Sequence, residues 1–203
     1  IITQTGSLVT LAIIGLLPES TNILAGMSVG NRVHSLLMFP LGAFNMSMVI
    51  FSGYLLGGGR REELHDFGRR MAVTTALVLI PPSLLLWLLR APAAGFFSGD
   101  ADVLEQASLF LCCLSGPLVG MTGVLNGLFS GAGATVLSCR VGAVTCWAVG
   151  IPLALTLGIG LNMGAFGVYA AGFAGQMAAF LWTLKLFRGK KWLEYGLRKR
   201  HTA

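Results

Sequence analysis

The chain has 203 residues, 55% of them hydrophobic and 11% charged, with a formal charge of +6 and a mean hydropathy of +0.77. Soluble domains carry about 25% charged residues, so this composition excludes an ordinary soluble surface. The positive charge flanks apolar runs, which makes anionic headgroups of a lipid bilayer its fitting partner, and no nucleic acid is expected.

A hydrocarbon core about 30 Å thick needs about 20 apolar residues per helix, and six such runs follow one another. The first is short, residues 1–17, stopped by Pro18, Glu19 and Ser20. The chain opens on Ile1 with no charged leader or small-residue cleavage site, which reads as a truncated beginning without a signal peptide. The second run, residues 23–56, is too long for one straight crossing and is expected to tilt, project or kink at Pro40. The third, residues 71–89, enters through Gly68, Arg69 and Arg70 and carries the adjacent Pro81 and Pro82, which predict a bend. The fourth, residues 103–127, follows a turn at Ser98, Gly99 and Asp100. Asp102 sits at its N-terminus, where a negative charge suits the helix dipole. The fifth spans residues 135–157. The sixth spans residues 164–186, after a turn at residues 158–162.

Lys and Arg cluster on alternate connections. Arg60, Arg61, Arg69 and Arg70 lie between runs two and three, Arg140 lies after run four, and Lys185, Arg188, Lys190, Lys191, Arg198, Lys199 and Arg200 lie at the end. The other connections carry Glu19, Arg90, Asp100, Asp102 and Glu105. By the positive-inside rule, the basic connections and both termini face the cytoplasm of a cell (inner) membrane protein. The expected architecture is all-α, a polytopic bundle of six transmembrane helices over residues 1–189, with a basic tail at 190–203. That tail mixes Trp192 and Tyr195 with cations and reads either as an interfacial anchor or as a disordered end. Glycines four apart, such as Gly116/Gly120, Gly123/Gly127 and Gly127/Gly131, suit close helix packing.

Reactive chemistry is sparse. There is no HExxH and no phosphate-binding Walker loop. Residues 127–131, Gly-Leu-Phe-Ser-Gly, have the wrong spacing for a nucleophile elbow, so Ser130 reads as packing and no enzyme is expected. Cys112, Cys113, Cys139 and Cys146 fall in apolar runs without CxxC spacing and read as small buried thiols. No metal or cofactor is implied. Polar groups inside the runs are the candidates for binding. Arg32, with Asn31, either lines a polar cavity or snorkels to the headgroups. His34 can titrate near neutrality or simply hold a hydrogen bond. Asn45, Ser47, Asn126 and Gln176 serve as substrate ligands or as polar contacts between helices. Met38, Phe39, Phe44, Met46 and Met48 suit an adaptable greasy pocket, or lipid.

The order of features resembles the multidrug and toxic compound extrusion (MATE) family. Residues 25–33 (AGMSVGNRV), Phe39-Pro40 and residues 52–60 (SGYLLGGGR) are similar to that family's proline-bearing helix and its GxGR-like loop. Residues 96–103 (FFSGDADV) look like its external turn, residues 126–135 (NGLFSGAGAT) like its GxGxT loop, and residues 164–169 (GAFGVY) like the opening of its sixth helix. The resemblance covers essentially the whole chain. It implies one six-helix lobe, the C-terminal one, of a twelve-helix antiporter, with a second lobe as partner. It also implies export of small amphipathic, often cationic compounds against Na⁺ or H⁺. The family's embedded carboxylates have no counterpart here, so the coupling cation is expected to need the missing lobe. A lobe of a lipid-linked oligosaccharide flippase and a non-transporting membrane scaffold are the competing readings.

The charge pattern predicts that cysteines introduced at Glu63 and Thr202 are labelled by an impermeant maleimide from the cytoplasmic side only, and one at Ala101 from the opposite side only. Labelling of Glu63 and Ala101 from one side contradicts the six-span topology.

Overall fold

A computed structural model describes residues 2–17, 20–89, 92, 95, 101–112, 116–161, 163–189 and 192. The described residues form helices: α1 (Ile2–Gly15), α2 (Ser20–Gly57), α3 (Arg61–Leu88), α4 (Ala101–Cys112), α5 (Gly116–Gly131), α6 (Thr135–Gly160) and α7 (Gly164–Arg188). This is a polytopic helical membrane fold. Three helices are long and apolar enough to cross a membrane, Glu62–Leu88, Thr135–Gly160 and Gly164–Arg188. Ser20–Leu36 and Leu41–Gly57 meet the same length and composition test only together, as one broken span or a re-entrant pair. Many large apolar side chains stand exposed, including Leu36, Phe39, Ile50, Leu77, Leu84 and Leu181. In water such a surface would aggregate; against acyl chains it needs no cover.

The chain clusters into two units. One comprises Ile1–Leu37, Pro81–Ser115 and Ala143–Ala178; the other comprises Met38–Ile80, Gly116–Gly142 and Ala179–Ala203. In the first unit, Ile13 and Ile14 of α1 and Leu17 just past its end pack with Ile23 of α2, Ile151 and Ala154 of α6, and Val168 and Ala171 of α7. Tyr169, buried in this cluster, donates its hydroxyl to the Ile23 carbonyl at 3.3 Å. Val29, Val103 and Ala107 form a smaller cluster joining α2 to α4. In the second unit, Met48, Leu64, Val124, Leu125, Leu128, Phe129, Phe187 and Trp192 make the core.

The two glycine-rich connections of the second unit are helix stops of one kind. Gly59 and Gly133 have φ of +75° and +76°, a conformation that costs other residues steric strain. Behind each, the chain closes with paired bonds: Arg60 N–H to Leu55 carbonyl with Gly59 to Leu56, and Ala134 N–H to Phe129 carbonyl with Gly133 to Ser130. These are Schellman closures, which satisfy the last carbonyls of α2 and α5.

Several expectations need correction. The basic stretch Arg60–Arg70 is not an open loop: α3 begins at Arg61, with Glu62 and Glu63 in its first turn, where acidic groups suit the dipole. Arg60 forks onto Glu63, its Nε lying 2.7 Å from Oε1. Pro81 and Pro82, where the sequence predicts a bend, lie inside α3. The turn expected at residues 158–162 is helical as far as Gly160, and α6 contains two π-helical stretches, Thr145–Gly150 and Ala154–Gly160, either side of Pro152. Cys139 is exposed and Cys146 partly so, both as free thiols; an apolar thiol facing lipid gains nothing from burial. Cys113, the turn at residues 98–100 and the tail other than Trp192 lie outside the described residues.

Trp192 follows the end of α7 and is fully buried. Its indole N–H donates to the Phe187 carbonyl at 3.1 Å, one of the orphan acceptors at a helix C-terminus. Its ring packs on Phe187 and Phe129, with centroids 5.9 and 5.5 Å apart. Phe187 in turn stacks on His65 at 4.5 Å. The four rings tie α3, α5 and α7 together. Trp192→Ala removes this fill and is expected to cost about 3 kcal/mol, read as a lower unfolding midpoint in detergent, whereas Trp147→Ala, at a partly exposed position, should shift it much less.

Candidate functional site

The polar residues singled out in the sequence do not converge on one locus. Asn31 and Arg32 are exposed on α2 and His34 is partly buried. Asn31 offers its carbonyl to the Ser35 hydroxyl at 2.8 Å. The His34 Nδ1 atom is buried without a hydrogen-bond partner among the described residues. Arg32 makes no ion pair among them. In hydrocarbon an unpaired guanidinium requires water or a partner, and near the bilayer surface it reaches the headgroups. Gln176 stands exposed on α7.

The second unit holds a better organised group. Asn45 of α2 donates its amide to the Gly123 carbonyl of α5 at 2.9 Å. Gly127, one turn further along α5, leaves room for the rest of that side chain. A methyl group there would lie 2.8 Å from Asn45 Oδ1 and 2.9 Å from the Asn45 carbonyl oxygen. Next to it, the Asn126 Oδ1 atom is buried and without a partner among the described residues. Asn45 lies on the α2–α5 seam, and Asn126 is the residue before Gly127 in α5. Asn45 has a partner there and reads as a contact between helices, while Asn126 retains unused acceptor capacity. The neighbouring Thr75 hydroxyl, on α3 opposite Gly120, is also buried and without a partner.

The Met- and Phe-rich stretch divides. Met48 is fully buried and Phe44 packs against the same core, while Phe39 is 85% exposed and Met46 is also exposed. Met38 is partly buried. The side chain of Pro40 lies outside the described residues. The stretch is therefore two faces of one helix, one for the core and one for an external apolar contact. No cluster of three or more metal-ligating side chains occurs among the described residues. Every described carboxylate, Glu62, Glu63, Asp66, Asp102 and Glu105, lies within the first two turns of its helix, and none in the middle of an apolar run.

The ring assembly around Trp192, the α2–α5 clamp and the π-helical turns were the features the sequence reading missed. Gly123, Gly127 and Asn45 were visible as residues, but their pairing joins positions 78 apart in the chain.

With this geometry in place, comparisons with known proteins are informative. The MatE family profile matches residues 1–156. The probable multidrug resistance protein NorM of Halalkalibacterium halodurans is 25% identical over 179 residues, covering 85% of this chain and 38% of that protein. Protein DETOXIFICATION 41 of Arabidopsis thaliana is 27% identical over 122 residues, covering 59% of this chain and 24% of its own length. Among solved structures, the MATE transporter ClbM in complex with Rb⁺ superposes with a TM-score of 0.83 at 17% identity, over 95% of this chain and 46% of that one. The eukaryotic MATE transporter AtDTX14 gives 0.80 at 17% identity, over 95% and 43%. The chain spans less than half the length of these relatives.

The clamp predicts that Asn45→Leu, which leaves the Gly123 carbonyl without its donor, destabilises the protein by roughly 1 kcal/mol. Gly127→Leu, which drives a side chain into Asn45, should lower the unfolding midpoint further. Equal midpoints for wild type and Gly127→Leu would contradict the close approach.

Proposed function

Because this chain belongs to the MatE family of transporters, we propose that it forms one six-helix lobe of a secondary antiporter exporting amphipathic, often cationic compounds across the cell membrane. The observation that carries this reading is the match of nearly the whole chain to about half of ClbM. Its naming partner in function is the NorM relative, described as a probable multidrug resistance protein. Both termini of the lobe face the cytoplasm, in keeping with the distribution of Lys and Arg.

Transport in this reading needs two lobes that move about a central site. This lobe would contribute an exposed polar stretch at Asn31 and Arg32, an adaptable apolar face at Phe39 and Met46, and the acceptor of Asn126. Coupling to Na⁺ or H⁺ would need a membrane-embedded carboxylate. None of the described carboxylates occupies such a position, so the second lobe would supply it. Arg32 would repel a cation brought directly against it, so its role would be to hold water or an acidic group of the facing lobe and not the substrate's charge.

Two outcomes test the proposal. Vesicles containing the 203-residue chain alone should show no cation-driven efflux of a lipophilic cationic dye, and efflux should appear when a complementary lobe is supplied. In the two-lobe protein, Arg32→Ala should reduce transport about tenfold with normal expression, while Arg32→Lys restores it only in part, because an ammonium lacks the planar fork. Wild-type transport by both variants would remove Arg32 from the site.

A further inference from the structure

The end of the α3–α7 seam carries a feature that the transport reading leaves unused. The two helices meet at Gly68, where an added methyl would lie 3.1 Å from Phe187 Cε2, and at the His65–Phe187 stack. Arg69 and Arg188 are the next residues on each helix, both exposed, and neither forms an ion pair among the described residues. In the six-span order the two helices run antiparallel, and because Phe187 faces the turn from His65 to Gly68, the two cations lie about 3 to 8 Å apart in depth at about 1.5 Å per residue. At about 100° per residue each is turned off the contact line to the same side of the seam. Arg70 is turned to the far side of α3, whereas Asp66, about one turn before Arg69, shares its side, with Oδ1 4.0 Å from His65 Nδ1. Glu62 shares the side of Arg69 but lies about 10 Å along the axis, toward the start of the helix.

Below this pair the same side is apolar and open. On α3 it continues through Val73 and Ile80, 49% and 48% exposed, and on α7 through Leu184 and Leu181, the latter 57% exposed. The apolar run of α3 starts just past Arg70 and that of α7 ends just before Phe187, so the two arginines stand at the headgroup level. A seam with the ring stack at one end, exposed aliphatic side chains along it and two guanidiniums without an ion pair among the described residues has the polarity profile of a single phospholipid.

We infer that Arg69 and Arg188 clamp the phosphate of an anionic phospholipid whose acyl chain lies along Val73, Ile80, Leu181 and Leu184. The site rests on the multi-pass membrane reading, and it assigns the lipid to the leaflet on the basic side. Guanidiniums suit this task because each offers paired donors to phosphate oxygens. The bound lipid would cover the α3–α7 seam and hold the two helices at a fixed spacing.

Native mass spectrometry of the protein in detergent, titrated with phosphatidylglycerol and with phosphatidylcholine, tests the site. Phosphatidylglycerol should bind at least about tenfold more tightly. Arg69→Gln with Arg188→Gln should abolish that preference, Arg69→Lys with Arg188→Lys should keep part of it, and Arg140→Gln should leave it intact. Helicity by circular dichroism shows that each variant is folded. Equal binding of the two lipids, or an unchanged preference in the double Gln variant, overturns the inference. So does displacement of the lipid by millimolar inorganic phosphate, which marks a soluble-anion site. A cysteine at Leu181 that a lipid-soluble maleimide cannot reach in the assembled transporter also overturns it, because another protein surface then covers the seam. Cysteine labelling at Glu63 and Ala101 is run alongside: opposite-side labelling with no lipid preference sinks this site and leaves the membrane reading standing.

Discussion

Inside hydrocarbon, hiding one apolar side chain behind another gains little, because lipid tails are as apolar as leucine. What remains to hold helices together is close van der Waals approach and the occasional hydrogen bond. This protein depends on that constraint at each seam described. Gly167 of α7 faces the Leu157 carbonyl group of α6 so closely that a methyl there would stand 2.6 Å from it. Gly127 of α5 does the same for the main chain of Asn45. Gly68 admits the Phe187 ring, and the His65 stack forms only because that ring can enter. Two side chains bond from one helix to a backbone carbonyl of another: Asn45 to Gly123 and Tyr169 to Ile23. Carbonyl acceptors cannot be lost by mutation, so each such contact depends on its donor alone.

The π-helical turns of α6 belong to the same physics. Pro152 has no N–H, and its ring clashes with the carbonyl one turn back. In water a loosened turn is hydrated; in a membrane the freed groups must find partners within the protein. Widening the helix does this. The Ile151 N–H reaches the Cys146 carbonyl, five residues back, and the Leu161 N–H reaches the Thr156 carbonyl, again five back, at 2.9 Å. The Thr156 hydroxyl donates to the Pro152 carbonyl at 2.9 Å. A wide turn brings its backbone further outward, and the glycines of α7, Gly167 and Gly175, lie where it does so: Gly175 faces the Gly150 main chain. The irregular stretch of one helix and the glycine spacing of the next are one adaptation. π-turns are frequent at functional sites, and this stretch makes α6 the helix whose geometry is least fixed by its own bonds.

The parts of the fold legible from sequence were those governed by composition and period. Apolar runs of the right length place helices α2, α3, α6 and α7, and the glycines four apart at Gly123 and Gly127 mark a close approach of α5 to α2. Less legible was anything set by a contact between distant residues. Trp192 looked like part of a surface tail because it stands among lysines; only Leu64, Phe129 and Phe187, supplied by three helices, make it a core residue. The start of α3 was hidden by a related effect. Charged residues at 60–70 suggest a loop when hydrophobicity is the guide, yet Glu62, Glu63 and Arg60 are good first-turn chemistry, and the helix extends out past the apolar boundary. Of the candidate site, Asn45 and Asn126 could be named as polar groups in apolar runs, but which of them was already satisfied required the α2–α5 pairing.

That pairing also bears on where a substrate could be held. A polar side chain that already donates to a carbonyl 2.9 Å away has little left to offer a ligand, and displacing it would leave the Gly123 oxygen unmatched in a nonpolar setting. Asn126 differs: its amide oxygen is buried without a donor among the described residues. It sits one position from Gly127, the point where α5 and α2 are already in main-chain contact and cannot approach further. An acceptor held at a fixed place with no donor is costly at rest and relieved only by a donor that arrives from elsewhere, such as water, a cation or an N–H group. The Thr75 hydroxyl opposite Gly120 lies in the same unit with the same lack of partner. Among the described residues the buried polar atoms left without a partner therefore include the oxygens of Asn126 and Thr75 and the Nδ1 atom of His34, and no carboxylate. Such oxygens can accept from a protonated amine or coordinate a partly hydrated cation, but they cannot take up a proton themselves at physiological pH. Of these three groups only the His34 imidazole is of a type that exchanges a proton near neutrality.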